Sequence, residues 1–78
     1  MWTQKQLQQL LNHTPPNAKI YIVLFDGNKL PLTEQSIEES AMYAHIQIDA
    51  NKSTTHYYVM YEQISRVEII TSKDVEPE

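Results

Sequence analysis

The chain has no cysteine and a single glycine in its 78 residues. The first absence removes disulfides and thiolate metal sites as sources of stability. The second removes every glycine-rich phosphate cradle, since such loops need several glycines for close backbone approach. Positive charge is also scarce. Six Lys and Arg stand against ten Asp and Glu, for a net charge of −4. That balance argues against strong nonspecific binding to nucleic acid, which rests on neutralising phosphates. No apolar run approaches the roughly 20 residues of a membrane span. Met1-Trp2-Thr3-Gln4-Lys5 is followed by no continuous apolar segment, so a signal peptide is not expected. The expectation is a soluble, cytoplasmic protein without a membrane partner.

Catalytic signatures are missing as well. No Ser–His–Asp or Cys–His arrangement is supported by spacing, and the histidines at 13, 45 and 56 lack metal-ligand spacing. Glu34, Glu38 and Glu39 read as a solvated acidic bend rather than an acid–base pair. His45 shares its strand face with Gln47 and Asp49 and reads as a surface residue. No enzyme activity, cofactor or metal is expected. A chain this short is one domain that buries only about 60–65% of the surface its unfolded form exposes. Oligomerisation is the remaining common route to stability, so a homo-oligomer is expected. The domain is placed at 1–72, with a disordered acidic tail at 73–78.

What is present is a helix signal followed by strand signals. Thr3 and Gln6 make a capping box, and Trp2 and Leu7 occupy the positions of a hydrophobic staple around it. Leu7, Leu10 and Leu11 form one apolar stripe, and Pro15-Pro16 end the helix over 3–13. Residues 18–25 form a strand with apolar side chains on both faces, which predicts cover on both. Asp26-Gly27 is hairpin chemistry, because tight turns demand positive φ. Pro31 in the return strand marks an edge, a bulge or a bend.

The next segment reads two ways. Ile37, Ala41, Ala44 and Ile48 recur at helical spacing, and Ser36-x-x-Glu39 reads as a capping box, so a helix over 34–44 is one reading. Met42, Ala44, Ile46 and Ile48 alternate at strand spacing. The second reading, a bend or short turn over 33–40 and a strand over 42–49, is preferred. A turn at Asn51-Lys52-Ser53, a strand over 55–62, a tight corner at Gln63 and a strand over 64–70 complete the chain. The fold class is mainly β with one N-terminal α-helix, as a small, strongly bent antiparallel β-barrel of five strands, Sm-like or SH3-like.

Five tyrosines, at 21, 43, 57, 58 and 61, all lie in predicted strands. Exposed tyrosines stack on bases or anchor protein partners. Tyr57, Tyr58 and Tyr61 are therefore candidate interaction residues.

Ile20-Tyr21-Ile22-Val23, then Gly27-Asn28-Lys29-Leu30, and later Ile64-Ser65-Arg66-Val67, resemble segments of the Sm-like fold and, within it, the bacterial Hfq proteins. The resemblance covers residues 3–70 in pattern and implies an N-terminal helix, a five-stranded bent barrel and an oligomeric ring that binds RNA. It also places Tyr21 and Lys29 at positions that contact adenine-rich RNA. The departures bear on function. Leu24-Phe25 are extra before the turn, and Pro31-Leu32 replace a family glycine. Met60-Tyr61-Glu62 stand where the family's Tyr-Lys-His lines the pore for uridine-rich RNA. Gln8-Gln9-Leu10-Leu11-Asn12 replace the basic rim of the helix. Two functions stay open: a divergent ring with reduced or altered binding of single-stranded RNA, or a small acidic protein–protein interaction module of the adaptor, immunity or phage-inhibitor kind.

Overall fold

The computed structural model describes residues 1–72. Helix α1 spans Gln4–His13, and five strands follow: β1 Ala18–Leu24, β2 Lys29–Leu32, β3 Tyr43–Asp49, β4 Thr54–Met60 and β5 Ile64–Thr71. The tail expected over 73–78 lies outside the described residues.

The start of α1 follows from its sequence. The Thr3 hydroxyl accepts from the Gln6 N–H, and the Gln6 side chain accepts from the Thr3 N–H. Two orphan donors of the first turn are thereby satisfied. Leu7 is fully buried, with Trp2 and Leu11 packed against the same core.

β1 is the centre of a three-stranded sheet, between β2 and β5, and both pairings are antiparallel. The β1–β2 turn is as the sequence predicts at Gly27, whose φ is +93°; Asp26 has no positive φ. The Gly27 N–H donates to the Leu24 carbonyl at 2.9 Å, and the Leu24 N–H donates to the Asn28 carbonyl at 2.8 Å. This is a three-residue loop with glycine at the bulge position. The loop takes Phe25 out of the strand, so β1 ends one residue earlier than expected, and Phe25 is 74% exposed. Pro31 lies on an edge strand, one of the three readings it allowed. Leu24 and Asn28 form a hydrogen-bonded pair, so alternation leaves Pro31 opposite Tyr21 in a non-hydrogen-bonded pair.

β3 and β4 form a separate antiparallel hairpin, closed by the Ala50 N–H donating to the Ser53 carbonyl. No ladder joins the two sheets among the described residues, so five strands in two antiparallel sheets are what the structure shows. The helix reading of 34–44 is corrected. Only a single 3-10 turn, Glu34–Ile37, forms there, and its cap pairs Thr33 with Ser36. Alternation wins because it buries Ala44 and Ile46 on one side of β3.

The strand expected over 55–62 stops at Met60. A second 3-10 turn, Tyr61–Gln63, makes the corner into β5. The physical reason is Tyr61, which turns inward to 4% exposure and donates from its hydroxyl to the Ser40 carbonyl at 3.0 Å. The core gathers Leu7, Ile20, Ile22, Leu30, Leu32, Ile37, Ala44, Ile46, Val59, Tyr61 and Ile64. It therefore lies between the two sheets, with α1 over one side. The helix packs against the Ile20 and Ile22 face of β1 and leaves the Tyr21 face uncovered, so cover on both faces of β1 is not what forms.

Candidate functional site

Alternation along β1 puts Lys19, Tyr21 and Val23 on the outer side of the three-stranded sheet. The register adds Lys29 and Arg66 opposite Val23, Pro31 and Glu68 opposite Tyr21, and Ile70 opposite Lys19. This face holds three of the six basic residues of an acidic chain. The two residues expected to contact RNA are neighbours on it. Lys29 Nζ lies 4.8 Å from the centroid of the Tyr21 ring, within cation–π range.

The same ammonium is also held by a carboxylate. Lys29 Nζ is 3.1 Å from Glu68 Oε1, and Arg66 Nε donates to Glu68 Oε2 at 2.9 Å. Hydrogen bonds from Lys29 and then Arg66 hold the Glu68 carboxyl below its ordinary range. Glu68 thus neutralises one of the three cations beside the aromatic ring. Sequence reasoning missed this partner, because 39 positions separate Lys29 from Glu68 and only the β1–β5 ladder brings them together.

The three candidate interaction tyrosines do not share a surface. Tyr57 faces the core side of β4 and is 39% exposed, whereas Tyr58 points outward and is 59% exposed. Tyr61 is in the core, where burial pushes its phenol above the ordinary value. As a contact residue it is corrected to a structural one. Tyr58 instead belongs to an aromatic cluster on the outer side of β3–β4. Its ring is parallel to that of His45 at 4.6 Å, and it meets Tyr43 edge-on at 5.6 Å.

His45 is a surface residue, as expected, but it is not isolated. Its Nδ1 lies 3.0 Å from Glu39 Oε1, and its Nε2 lies 2.8 Å from His56 Nδ1. The Tyr43 hydroxyl donates to the other Glu39 oxygen at 2.7 Å, which raises the Tyr43 pKa. Among the described residues no group of three or more His, Asp or Glu side chains is placed to hold a metal ion. No helix among them is long and apolar enough to cross a membrane.

Protein-family models, characterised proteins and solved structures were each compared with the chain, and none matches. The functional reading therefore rests on the chain's own chemistry. A second surface matters to it. An open groove of about 330 Å³ lies where the N-terminus meets the end of β4, lined by Met1, Trp2, Met42, Met60, Tyr61 and Glu62. Met42 is 66% exposed there. Unbranched thioether side chains adapt to varied apolar partners.

Proposed function

We propose that the chain is a non-catalytic, cytoplasmic binding protein of Sm-like kind. It assembles with copies of itself and offers the outer face of the β2–β1–β5 sheet to single-stranded, adenine-rich RNA. The observation that carries this reading is the grouping of Lys19, Lys29 and Arg66 around Tyr21 on one face of a chain whose net charge is −4. Cations that track a backbone and a ring on which a base stacks are the two ingredients of single-strand binding. Glu68 limits the strength, so affinity is modest and strongly salt-dependent. In this reading the two ladders are parts of one small barrel. The open edges of β4 and β5 are where neighbouring copies add strands.

The test is filter binding of adenine and uridine oligomers at low salt and across a salt series, with native mass measured on the same sample. Adenine-selective, salt-sensitive binding by a hexamer or heptamer is expected. Tight binding of the uridine strand contradicts the loss argued from Glu62. A monomer that binds neither strand overturns the reading.

The second reading, a protein–protein interaction module, is favoured by the methionine-lined groove. It predicts no binding of either oligomer.

A further inference from the structure

The outer side of the β3–β4 hairpin carries a hydrogen-bonded chain in which every proton can be placed. It runs from the Tyr43 hydroxyl to Glu39 Oε2, from Glu39 Oε1 to His45 Nδ1, and from His45 Nε2 to His56 Nδ1. The imidazole planes of the two histidines are within 22° of each other, with centroids 5.1 Å apart. That spacing, with nitrogens at 2.8 Å, is an edge-to-edge hydrogen bond.

An ionised carboxylate only accepts, so His45 Nδ1 carries a hydrogen and donates to Glu39. A neutral imidazole has one donor and one acceptor, so His45 Nε2 accepts. His56 must then donate from Nδ1, which leaves the His56 Nε2 lone pair without a protein partner among the described residues. Both tautomers follow from one carboxylate.

The chain has a definite capacity for protons. A first proton on His56 Nε2 breaks nothing, because His56 Nδ1 still donates to His45 Nε2. A second proton has only His45 Nε2 to occupy. Two N–H donors would then face each other at the present 2.8 Å, each on a cation. The pair must part.

We propose that Glu39, His45 and His56 form a pH-set clasp on the β3–β4 hairpin, closed with no proton or one proton added and opened by the second. Histidine is the side chain whose charge changes between pH 5 and 8, which sets the window of the response. The groups that face the pair are Glu39 from the segment before β3, Tyr43 from β3, and Tyr58 from β4, stacked on His45. Asp49, at the end of β3, is close enough for its carboxylate to feel the charge of His56. Glu39 and Asp49 favour the first proton. Neither relieves the contact between the two nitrogens that excludes the second. Opening moves His56 away from His45 and perturbs the hold of His45 on Glu39, and so on the segment that leads through Ala41 and Met42 into β3.

The experiment is an imidazole-detected NMR titration of the whole chain from pH 8 to 4.5, with amide exchange followed over residues 38–45. His13, exposed at the end of α1, is the internal reference. His45 and His56 are expected to titrate in two separate, coupled steps, and His13 in one. The second step should speed amide exchange in the segment by roughly tenfold, the effect of losing one hydrogen bond to a charged group. In His56→Gln, the glutamine amide still donates to His45 and cannot ionise, so the two-step pattern should collapse to one. In Glu39→Gln the fixed tautomer of His45 should be lost. The proposal is overturned if both histidines titrate independently, in single steps like His13. It is also overturned if His56→Gln leaves the exchange profile unchanged. His56 is exposed, so neither result can be ascribed to a lost core.

Discussion

The Tyr61 hydroxyl reaches the Ser40 carbonyl across 21 positions of sequence, at 3.0 Å. One side chain thereby fastens the corner before β5 to the segment before β3, with its ring in the core. Tyr61→Phe keeps the ring and leaves the carbonyl without its donor, so it should destabilise by about 1 kcal/mol. Tyr61→Ala also opens a cavity and should cost about 3–5 kcal/mol, by analogy with other buried aromatics. Urea unfolding checks both: the midpoint should fall while the slope stays the same. An alanine variant as stable as Tyr61→Phe would contradict the core placement.

Gly27 offers a cleaner separation of causes. Its φ is +93°, and a Cβ built there meets nothing within 4 Å. Substitution therefore acts through backbone strain alone. Gly27→Val should cost about 1–2 kcal/mol or more, because β-branching worsens a left-handed conformation, and Gly27→Asn should cost less. Equal thermal shifts for the two variants would show that conformation is not the issue.

Glu68 makes stability pH-dependent. Its folded pKa lies below its ordinary value of 4.5, mainly through Lys29 and then Arg66. The stabilisation is complete above that ordinary value and is lost as pH falls through the folded one. Asp49, lowered mainly by the Gln47 amide and then by Thr54, adds a loss in the same direction at lower pH. Lys29→Met should flatten the acid limb below pH 4.5, as measured by denaturation midpoints at successive pH values. An unchanged acid limb would rule out the ion pair as its source.

The same carboxylate bears on the proposed RNA face. Glu68→Gln frees Lys29 and Arg66, so it should tighten binding of an adenine oligomer and steepen its salt dependence. Tyr21→Ala removes a stacked base and should weaken binding about 5- to 150-fold, from roughly 1–3 kcal/mol per base. Binding that ignores both changes would place any RNA elsewhere on the chain.

What the sequence made legible was local. Thr3 with Gln6, and Asp26 with Gly27, act within a few residues, so their chemistry can be read without a fold. The end of β4 could not be, because Tyr61 alternates correctly for a strand and leaves it only to reach Ser40. The clasp was nearer to hand. A hairpin centred on Asn51-Lys52 pairs Asp49 with Thr54, and counting outward pairs Gln47 with His56 and His45 with Tyr58. That register already makes His45 and His56 diagonal neighbours. Glu39 was beyond reach, since its position depends on how the preceding segment turns. The Glu68 contact needed the β1–β5 ladder, a pairing that local patterning does not specify.

Pro31 gives the three-stranded sheet a preferred direction. In its non-hydrogen-bonded pair with Tyr21, the backbone nitrogen of Pro31 points away from β1, toward the outer edge of β2. The missing N–H therefore takes nothing from the existing ladder and removes a donor from that edge. β5, on the opposite side, has no proline among its residues Ile64–Thr71. The sheet is blunted at one margin and extensible at the other. Any strand that joins it does so beside the chain's last strand, and addition there is one-sided.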